Sequence, residues 1–413
     1  MSAVPPTAWV VGTFDTKAAE LHYVADCLRA AGVRAVTVDI GTRAPAGHID
    51  IGARTVAAHH PAGADAVFAH SDRGQAVIAM GEALAERVRA GLAAGELQGM
   101  IGLGGSGGSS MIAPAMRQLP IGCPKLLVST MAAGNVSAYV GVTDMSLMYP
   151  VTDIAGLNRL SRTVLANAAH ALAGMLRHQP PPAPEREKPA IALSMFGVTT
   201  PCVDAVRAQL QDSFDTQVFH ANGAGGRTLE ALAASGLLQA VVDITTTEVG
   251  QHLAGGVCDA GPDRLDAAAR HGLPWIGSVG ALDMINWGPL PTVPERHRQR
   301  RFHVHNADVT LMRSHARELE AAAHRIAEQL NRAPGPVSLL LPLGGLSLLD
   351  VPGQPFHDPE ANRALFDTLE RRFRTSDTHR LVALPLAIND PAFATAVADE
   401  ARRVLHPLGA TAV

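Results

Sequence analysis

Five glycines and three serines fall within nine residues at Gly102-Leu103-Gly104-Gly105-Ser106-Gly107-Gly108-Ser109-Ser110, directly after the apolar pair Met100-Ile101. Met111 to Met116 reads as the first turns of a helix. A strand that ends in glycines and reopens as a helix leaves backbone N–H groups unpaired, with no Cβ atoms in the way. Such a stretch suits a phosphate or a carboxylate. Gly102-x-Gly104-x-x-Gly107 matches the dinucleotide fingerprint by letter. That fingerprint, however, belongs to the first strand-to-helix turn and needs an acidic residue about 20 positions on, at the end of the next strand. Here the loop follows a third or fourth strand, and the next strand ends in Ser129-Thr130. A bare tight turn needs one glycine rather than five, so an anion cradle is the preferred reading.

A second cluster, Gly12-Thr13-Phe14-Asp15-Thr16-Lys17, ends the first strand. Open α/β sheets bind ligands at strand C-termini, and Thr13, Asp15 and Lys17 offer donor, acceptor and cation there. Asp15 or Thr16 is also suited to capping the next helix. Asp39 ends the second strand, where it could accept ribose hydroxyls or shape a turn before Gly41. Ser129, Thr130, Gly134 and Asn135 extend the polar rim, and Asp144 and Asp153 are secondary candidates for a metal ion or for capping.

Farther along, Asp243-Ile244-Thr245-Thr246-Thr247-Glu248 ends another strand. Thr245 and Glu248 have capping-box spacing, which would account for Glu248 but not for Asp243. His220 precedes a second glycine loop, Gly223-Ala224-Gly225-Gly226, a place for a general base beside an anion. Asp243, Glu248, His220 and His305 are the acid/base candidates, and Arg264 and Arg313 the holders of an anionic substrate group. His303 and His305 have a spacing that zinc tolerates, but no third ligand can be assigned, so the metal stays unknown. Cys202 falls in a helix first turn, where a thiolate is favoured, yet it reads first as a small buried residue.

These residues need elements to hold them. Strand-like runs at Trp9-Val10-Val11, Ala35–Val38, Met100-Ile101 and Lys125–Val128 alternate with helical stretches over about 17–31 and 156–175. A second series, at about 190–193, 217–219, 240–244, 274–276, 337–341 and 381–384, repeats the rhythm after the proline-rich stretch 179–189. The expected architecture is therefore two doubly wound, Rossmann-like parallel-sheet α/β domains, 1–178 and 190–413, joined by that linker with a cleft between them. With 47% hydrophobic residues but only 4% aromatic ones, the cores must be built from Ala, Val, Leu and Ile. A net charge of −4 and the lack of long Lys/Arg runs argue against nucleic acid as a partner. No apolar stretch reaches the ~20 residues of a membrane span. Four scattered cysteines without a CxxC pair, and a first segment without a charged region ahead of an apolar one, lead to the expectation of a cytoplasmic protein.

The chain resembles the UPF0261 family, also called Tm-1-like ATP-binding proteins, over nearly its whole length. The resemblance is carried by Val11–Lys17, Ile101–Ser109, Val128-Ser129-Thr130, Asp153–Asn158, Phe196–Cys202, Gly225-Gly226-Arg227, Asp243–Glu248, Ala260–Leu265, Gly280–Met284, His305-Asn306 and Thr310–Arg313. It implies an N-terminal domain that binds ATP with Mg²⁺, a homodimer, and a C-terminal domain whose chemistry is not generally assigned. It marks Gly12, Thr13, Asp15, Lys17 and Gly104, Gly105, Ser106, Gly107, Gly108 and Ser109 as nucleotide contacts. The chain departs from the family at Asn135, where Asp is expected, at Asn222, where Thr is usual, and at Ala387-Ile388-Asn389-Asp390, which lacks a leading His. The expected function is an ATP-binding enzyme acting on a small carboxylated or hydroxylated metabolite. The alternatives are an ATP-independent hydrolase or C–C lyase using the glycine loops as carboxylate or oxyanion sites, and a nucleotide-binding regulatory or inhibitory interaction protein.

Overall fold

The computed structural model describes residues 4–42, 47–70, 72–178 and 188–409. The chain divides into two compact units, Met1–Pro182 and Ala183–Val413. Most of the expected linker, residues 179–187, lies outside the described residues.

In the N-terminal unit, strands β1 (Thr7–Gly12), β2 (Arg34–Asp39), β3 (Gly99–Gly104), β4 (Lys125–Ser129) and β5 (Ser146–Met148) form one sheet in the order β2-β1-β3-β4-β5. Every pairing is parallel. Successive side chains of a strand face opposite ways, so Val10 joins the core with Leu21, Leu28 and Leu165 on one face. Trp9 and Val11 pack with Met80, Leu84 and Ile112 on the other. Both faces are covered by helices, as a doubly wound sheet requires. The chain runs from β1 to β2 on one side and returns to β3 on the other, so the loops after β1 and β3 part at the switch point. Register brings Gly12 beside Asp39 and Gly104 beside Ser129, and these four strands therefore end along one edge.

The helix after β3 spans Ser106–Met116 and begins earlier than the sequence suggested. Gly105 is its N-cap, with φ −81° and ψ −160°, and Gly107 and Gly108 lie in its first turn. None of the glycines between 102 and 108 has a positive φ, so unusual backbone angles do not explain them. Close approach explains two. A Cβ on Gly102 would sit 2.5 Å from Ile112 Cγ2, and one on Gly104 would sit 2.9 Å from the backbone of Gly108 and Ser109.

The C-terminal unit repeats this winding. Strands β6 (Ala190–Met195), β7 (Asp215–His220), β8 (Ala240–Asp243) and β9 (Trp275–Ser278) are followed by β10 (Met284–Trp287), β11 (Phe302–Asn306) and β12 (Val309–Arg313), then by β13 (Val337–Pro342) and β14 (His379–Leu384). Six of them form a parallel sheet in the order β14-β13-β9-β8-β6-β7, flanked by cores on both faces. The remaining three form a small antiparallel sheet, β10-β12-β11. No pattern in the sequence announces it, because β10 and β11 are only 4 and 5 residues long and prolines crowd the segment between them. Among the described residues no helix is long and apolar enough to cross a membrane.

Steric and open glycines are separable by mutation. Gly102→Ala is expected to lower stability by about 1–3 kcal/mol through overpacking. Gly107, whose Cβ would meet nothing within 4 Å, should gain about 0.5–1 kcal/mol as Ala. Urea unfolding of the two variants checks both signs.

Candidate functional site

A cavity of about 760 Å³ opens at the switch point of the N-terminal sheet. Thr13, Asp15, Thr16 and Lys17 line it from the β1 loop, and Gly105, Ser106, Gly107 and Gly108 from the β3 loop. The first backbone bond of the Ser106–Met116 helix runs from Ser109 N–H to the Gly105 carbonyl, and no side chain caps the helix. Among the described residues the N–H groups of Ser106, Gly107 and Gly108 therefore have no acceptor, and the helix dipole adds its positive end there.

The β1 loop is a tight turn. Lys17 N–H and Thr16 N–H both reach the Thr13 carbonyl, at 2.9 and 3.2 Å, and the Thr13 and Thr16 hydroxyls pair at 2.8 Å. The next helix, Ala18–Ala30, starts from Lys17 with no side-chain cap, so neither Asp15 nor Thr16 serves as one. Lys17 Nζ donates to the Ile154 carbonyl at 2.5 Å, which anchors the ammonium on the cavity wall. Asp15 Oδ1 is buried with no hydrogen-bond partner. Its neighbour Asp39 accepts from Phe14 N–H at 3.0 Å and Gly41 N–H at 2.8 Å through Oδ1, while Oδ2 is buried and unpaired. Both carboxyl groups flank Gly41, since a Cβ there would lie 3.0 Å from Asp39 Oδ1 and 3.1 Å from Asp15 Cγ. Burial, and after it the Asp15 charge, pushes the Asp39 carboxyl above its ordinary range.

The other residues expected to contact a cofactor stand behind this wall. Gly12 is glycine because a Cβ would meet Leu21 at 2.8 Å. Ser109 and Ser129 form a buried hydroxyl pair at 2.6 Å that ties the helix to β4. Asp39 pins the β1 and β2 loops. The Thr130 hydroxyl lies 3.7 Å from where a Gly105 Cβ would be, and Gly134 closes the short turn Thr130–Ala133 away from the cavity lining. Asp144 binds Gly122 N–H and the buried Lys125 ammonium, a structural role.

Sequence reading missed the third wall: Thr42, Val67, Phe68, His70, Arg73 and Val77, with Ile40 and Met111 beneath. A signal existed in Asp72-x-x-Gln75 ahead of an amphipathic run. Asp72 caps the helix Arg73–Ala93 by accepting from Gln75 N–H at 2.9 Å. A second cavity of about 730 Å³ shares Thr42 and Phe68 with the first and is lined also by Asp39, His48 and Arg54.

In the C-terminal unit, Asp243, Glu248 and Arg264 do come together, in a buried network. Arg264 is 2% exposed and places all its donors internally. Nη1 and Nη2 each reach Asp243 at 2.7 Å, Nε reaches Glu248 at 2.8 Å, and the rest go to Glu230 and the Thr245 carbonyl. No donor remains for a substrate anion. Glu248 Oε1 accepts from Gly223 N–H at 2.7 Å and Gly226 N–H at 3.0 Å, so the second glycine loop already holds an anion, the protein's own. The expected capping box does not form. Arg264 draws Glu248 away, and the Thr245 hydroxyl pairs with Thr199 at 2.8 Å. Glu230, which sequence reading missed, accepts from Leu265 and Ala267 N–H, and burial pushes its carboxyl up to about 7.

His220, His305 and Arg313 lie outside that network. His220 is exposed and stacks on Phe196 at 5.2 Å, and His305 is exposed on β11. Arg313 is buried, donating to the Phe356 carbonyl at 2.6 Å and to Asn362 at 2.7 Å, with Asp350 at 3.5 Å. Asp283 packs into the same region through Ser347 Oγ at 2.7 Å. Its burial and the Asp350 charge push its carboxyl up to about 7. Cys202 is driven up to about 12 by burial, so it stays a thiol. No group of three His, Cys, Asp or Glu among the described residues could hold a metal ion by itself.

Two outcomes follow from these networks. Asp243→Ala leaves a buried guanidinium short of its bidentate partner and should cost about 3–5 kcal/mol in urea unfolding; an unchanged stability with lost activity would instead mark Asp243 as catalytic. For Asp283, the folded carboxyl holds its proton up to about 7 while the unfolded one releases it near 3.8. Stability should therefore fall as pH rises through that window, because the unfolded state binds fewer protons. Asp283→Asn should make that decline shallower, with the share from Glu230 remaining, as followed by melting temperature from pH 5 to pH 8.

Residues 6–181 match the uncharacterised protein family (UPF0261) N-terminal domain, and residues 188–405 match its C-terminal domain. The chain is 50% identical to UPF0261 protein RA0729 of Rhizobium meliloti, over 97% of this chain and 99% of that protein. It is 43% identical to the ToMV resistance protein Tm-1(GCR237) of Solanum lycopersicum, over 79% of this chain and 44% of the longer plant protein. Among solved structures, a C2-type ketoreductase from a modular polyketide synthase aligns over 97% of this chain and 89% of that one, at 17% identity and a TM-score of 0.23, too low to bear on the fold. The domain matches and the relatives agree along the length of both units, and the chain belongs to the UPF0261 family.

Proposed function

We propose that the N-terminal unit binds ATP, with its phosphates on the backbone N–H groups of Ser106, Gly107 and Gly108. The observation that carries this reading is the contrast within one loop. Gly102 and Gly104 are glycine because a side chain would collide, whereas Gly105, Gly107 and Gly108 have room for one and no positive φ. What their bare backbone provides is unobstructed access to three unpaired amides at a helix N-terminus, inside a cavity of nucleotide size. Ile40, Val67, Phe68, Val77 and Met111 supply an apolar wall for the base. Lys17 adds a fixed positive charge.

The Asp15 carboxylate, unpaired at Oδ1 on the wall of the same cavity, fits a Mg²⁺ carried on the phosphates. Such an ion would neutralise phosphate charge, with Asp15 as its protein ligand. The adjoining cavity, lined by Asp39, His48 and Arg54, has room for a small carboxylated or hydroxylated second substrate, and a substrate held there would make this unit an enzyme. The ATP-independent reading draws less support, because Glu248 fills the second glycine loop.

Calorimetry and thermal shift with ATP and with NAD(H), each with and without Mg²⁺, test the proposal. ATP at about 100 times its Kd should stabilise the protein by about 2.7 kcal/mol. Gly107→Asp puts a carboxylate in the cradle and should abolish that shift without unfolding the helix, whose first turn favours an acidic residue. Asp15→Asn should remove the Mg²⁺ dependence and leave metal-free binding in place. A wild-type protein whose melting temperature no nucleotide moves would overturn the assignment.

A further inference from the structure

Arg73 is the cation of this cavity that the fold does not use. Elsewhere in the N-terminal unit, Arg54 pairs with Asp65 and lies over the Phe68 ring, Arg87 pairs with Glu96 over Trp9, and Arg117 donates to the carbonyls of residues 138 and 139. Among the described residues Arg73 has no ion pair, hydrogen bond or ring contact, and it is exposed on the cavity lining beside His70. Its position is also electrostatically unfavourable. Arg73 is the first residue of the 21-residue helix Arg73–Ala93, at the positive end of the dipole, where an acidic residue would be stabilising. The N-cap Asp72 already supplies the carboxylate that this helix start favours, and among the described residues it makes no ion pair with Arg73, whose guanidinium stays free for a ligand anion.

The donors facing the cavity also outnumber what one phosphate can accept. Three backbone amides, the Lys17 ammonium with two protons beyond its bond to Ile154, and the five-donor guanidinium of Arg73 all belong to its lining. A chain of phosphates can accept from all of them at once, where a single phosphate leaves some to water. Resting on the nucleotide reading above, we infer that Arg73 engages the distal phosphate and makes the site selective for a nucleoside triphosphate over the di- and monophosphate. The amide cradle and Lys17, both fixed by the backbone, hold the phosphates nearer the nucleoside. Arg73, on a long side chain at the exposed rim, reaches the end of the tail with bidentate geometry that Lys cannot reproduce.

Isothermal titration of ATP, ADP and AMP with Mg²⁺, in the wild-type chain and in Arg73→Gln and Arg73→Lys, tests the inference. The wild type should bind ATP more tightly than ADP, and ADP more tightly than AMP. Arg73→Gln should weaken ATP by about 10–100-fold, the range of a charge-assisted contact, and AMP by less than about twofold. Arg73→Lys should recover part of the ATP affinity. Without ligand, Arg73→Gln should melt no lower than the wild type, since it removes a charge from the wrong end of a helix. Equal loss for all three nucleotides, or none for ATP, would overturn the role of Arg73. A wild type that binds no nucleotide would overturn the underlying site instead.

Discussion

The N-terminal unit depends on how closely β3 approaches the helix it feeds. Gly102 and Gly104 remove the two side chains that would hold Ser106–Met116 away from the sheet. With the helix seated, Ile112 fills the core above β3, and the buried Ser109–Ser129 pair locks the helix to the neighbouring strand. The helix N-terminus is thereby fixed at the sheet edge where β1 also ends. Its three unpaired amides are not a defect of folding. They follow from starting a helix on glycines with no capping side chain, beside a loop whose own carboxylate is not used as a cap.

The two units share a winding order and treat the same opportunity in opposite ways. In the C-terminal unit the helix Ala224–Ala234 also starts from a glycine loop, but Glu248 reaches across and occupies the amides. Arg264 makes this possible by compensating Glu248, Asp243 and Glu230 at once. Three carboxylates around one guanidinium carry excess negative charge, and burial raises Glu230 until its proton is held near neutral pH. Asp243, Glu248 and Arg264 are engaged in holding its loops together, while His220 and His305 stand exposed outside that network. In the N-terminal unit Asp15 and Arg73 are left without such partners, and there the cavity is open.

Much of the fold was readable from the sequence. Runs such as Ala240–Val242 and Leu339–Leu341 are buried on both faces, so they appear as short continuous apolar stretches, and the two-domain parallel architecture follows from their rhythm. The segment from Ile40 to Gln98 was not read, although it supplies the third wall of the cavity. Its helix Arg73–Ala93 is amphipathic but interrupted by Gly74, Gly81 and Gly91, two of which are needed for contact with Met111 and Trp9. The antiparallel sheet β10-β12-β11 escaped for a different reason: strands of 4 or 5 residues carry too few positions for a period to announce itself.

Residue types and their order determined that this protein has glycine-bearing strand ends, a cation and a carboxylate within one loop, and acidic and basic side chains that could do chemistry. They could not decide which of these groups face a cavity and which face each other, because that depends on contacts between residues far apart in the chain. Glu248 and Gly223 are 25 positions apart, Arg264 and Asp243 21, and Lys17 and the Ile154 carbonyl 137. A buried charge must find a partner, and only the folded chain settles which one it finds. Tertiary structure paired Asp243, Glu248 and Arg264 with one another and left Arg73 on the lining of the same cavity as the unpaired amides of Ser106, Gly107 and Gly108.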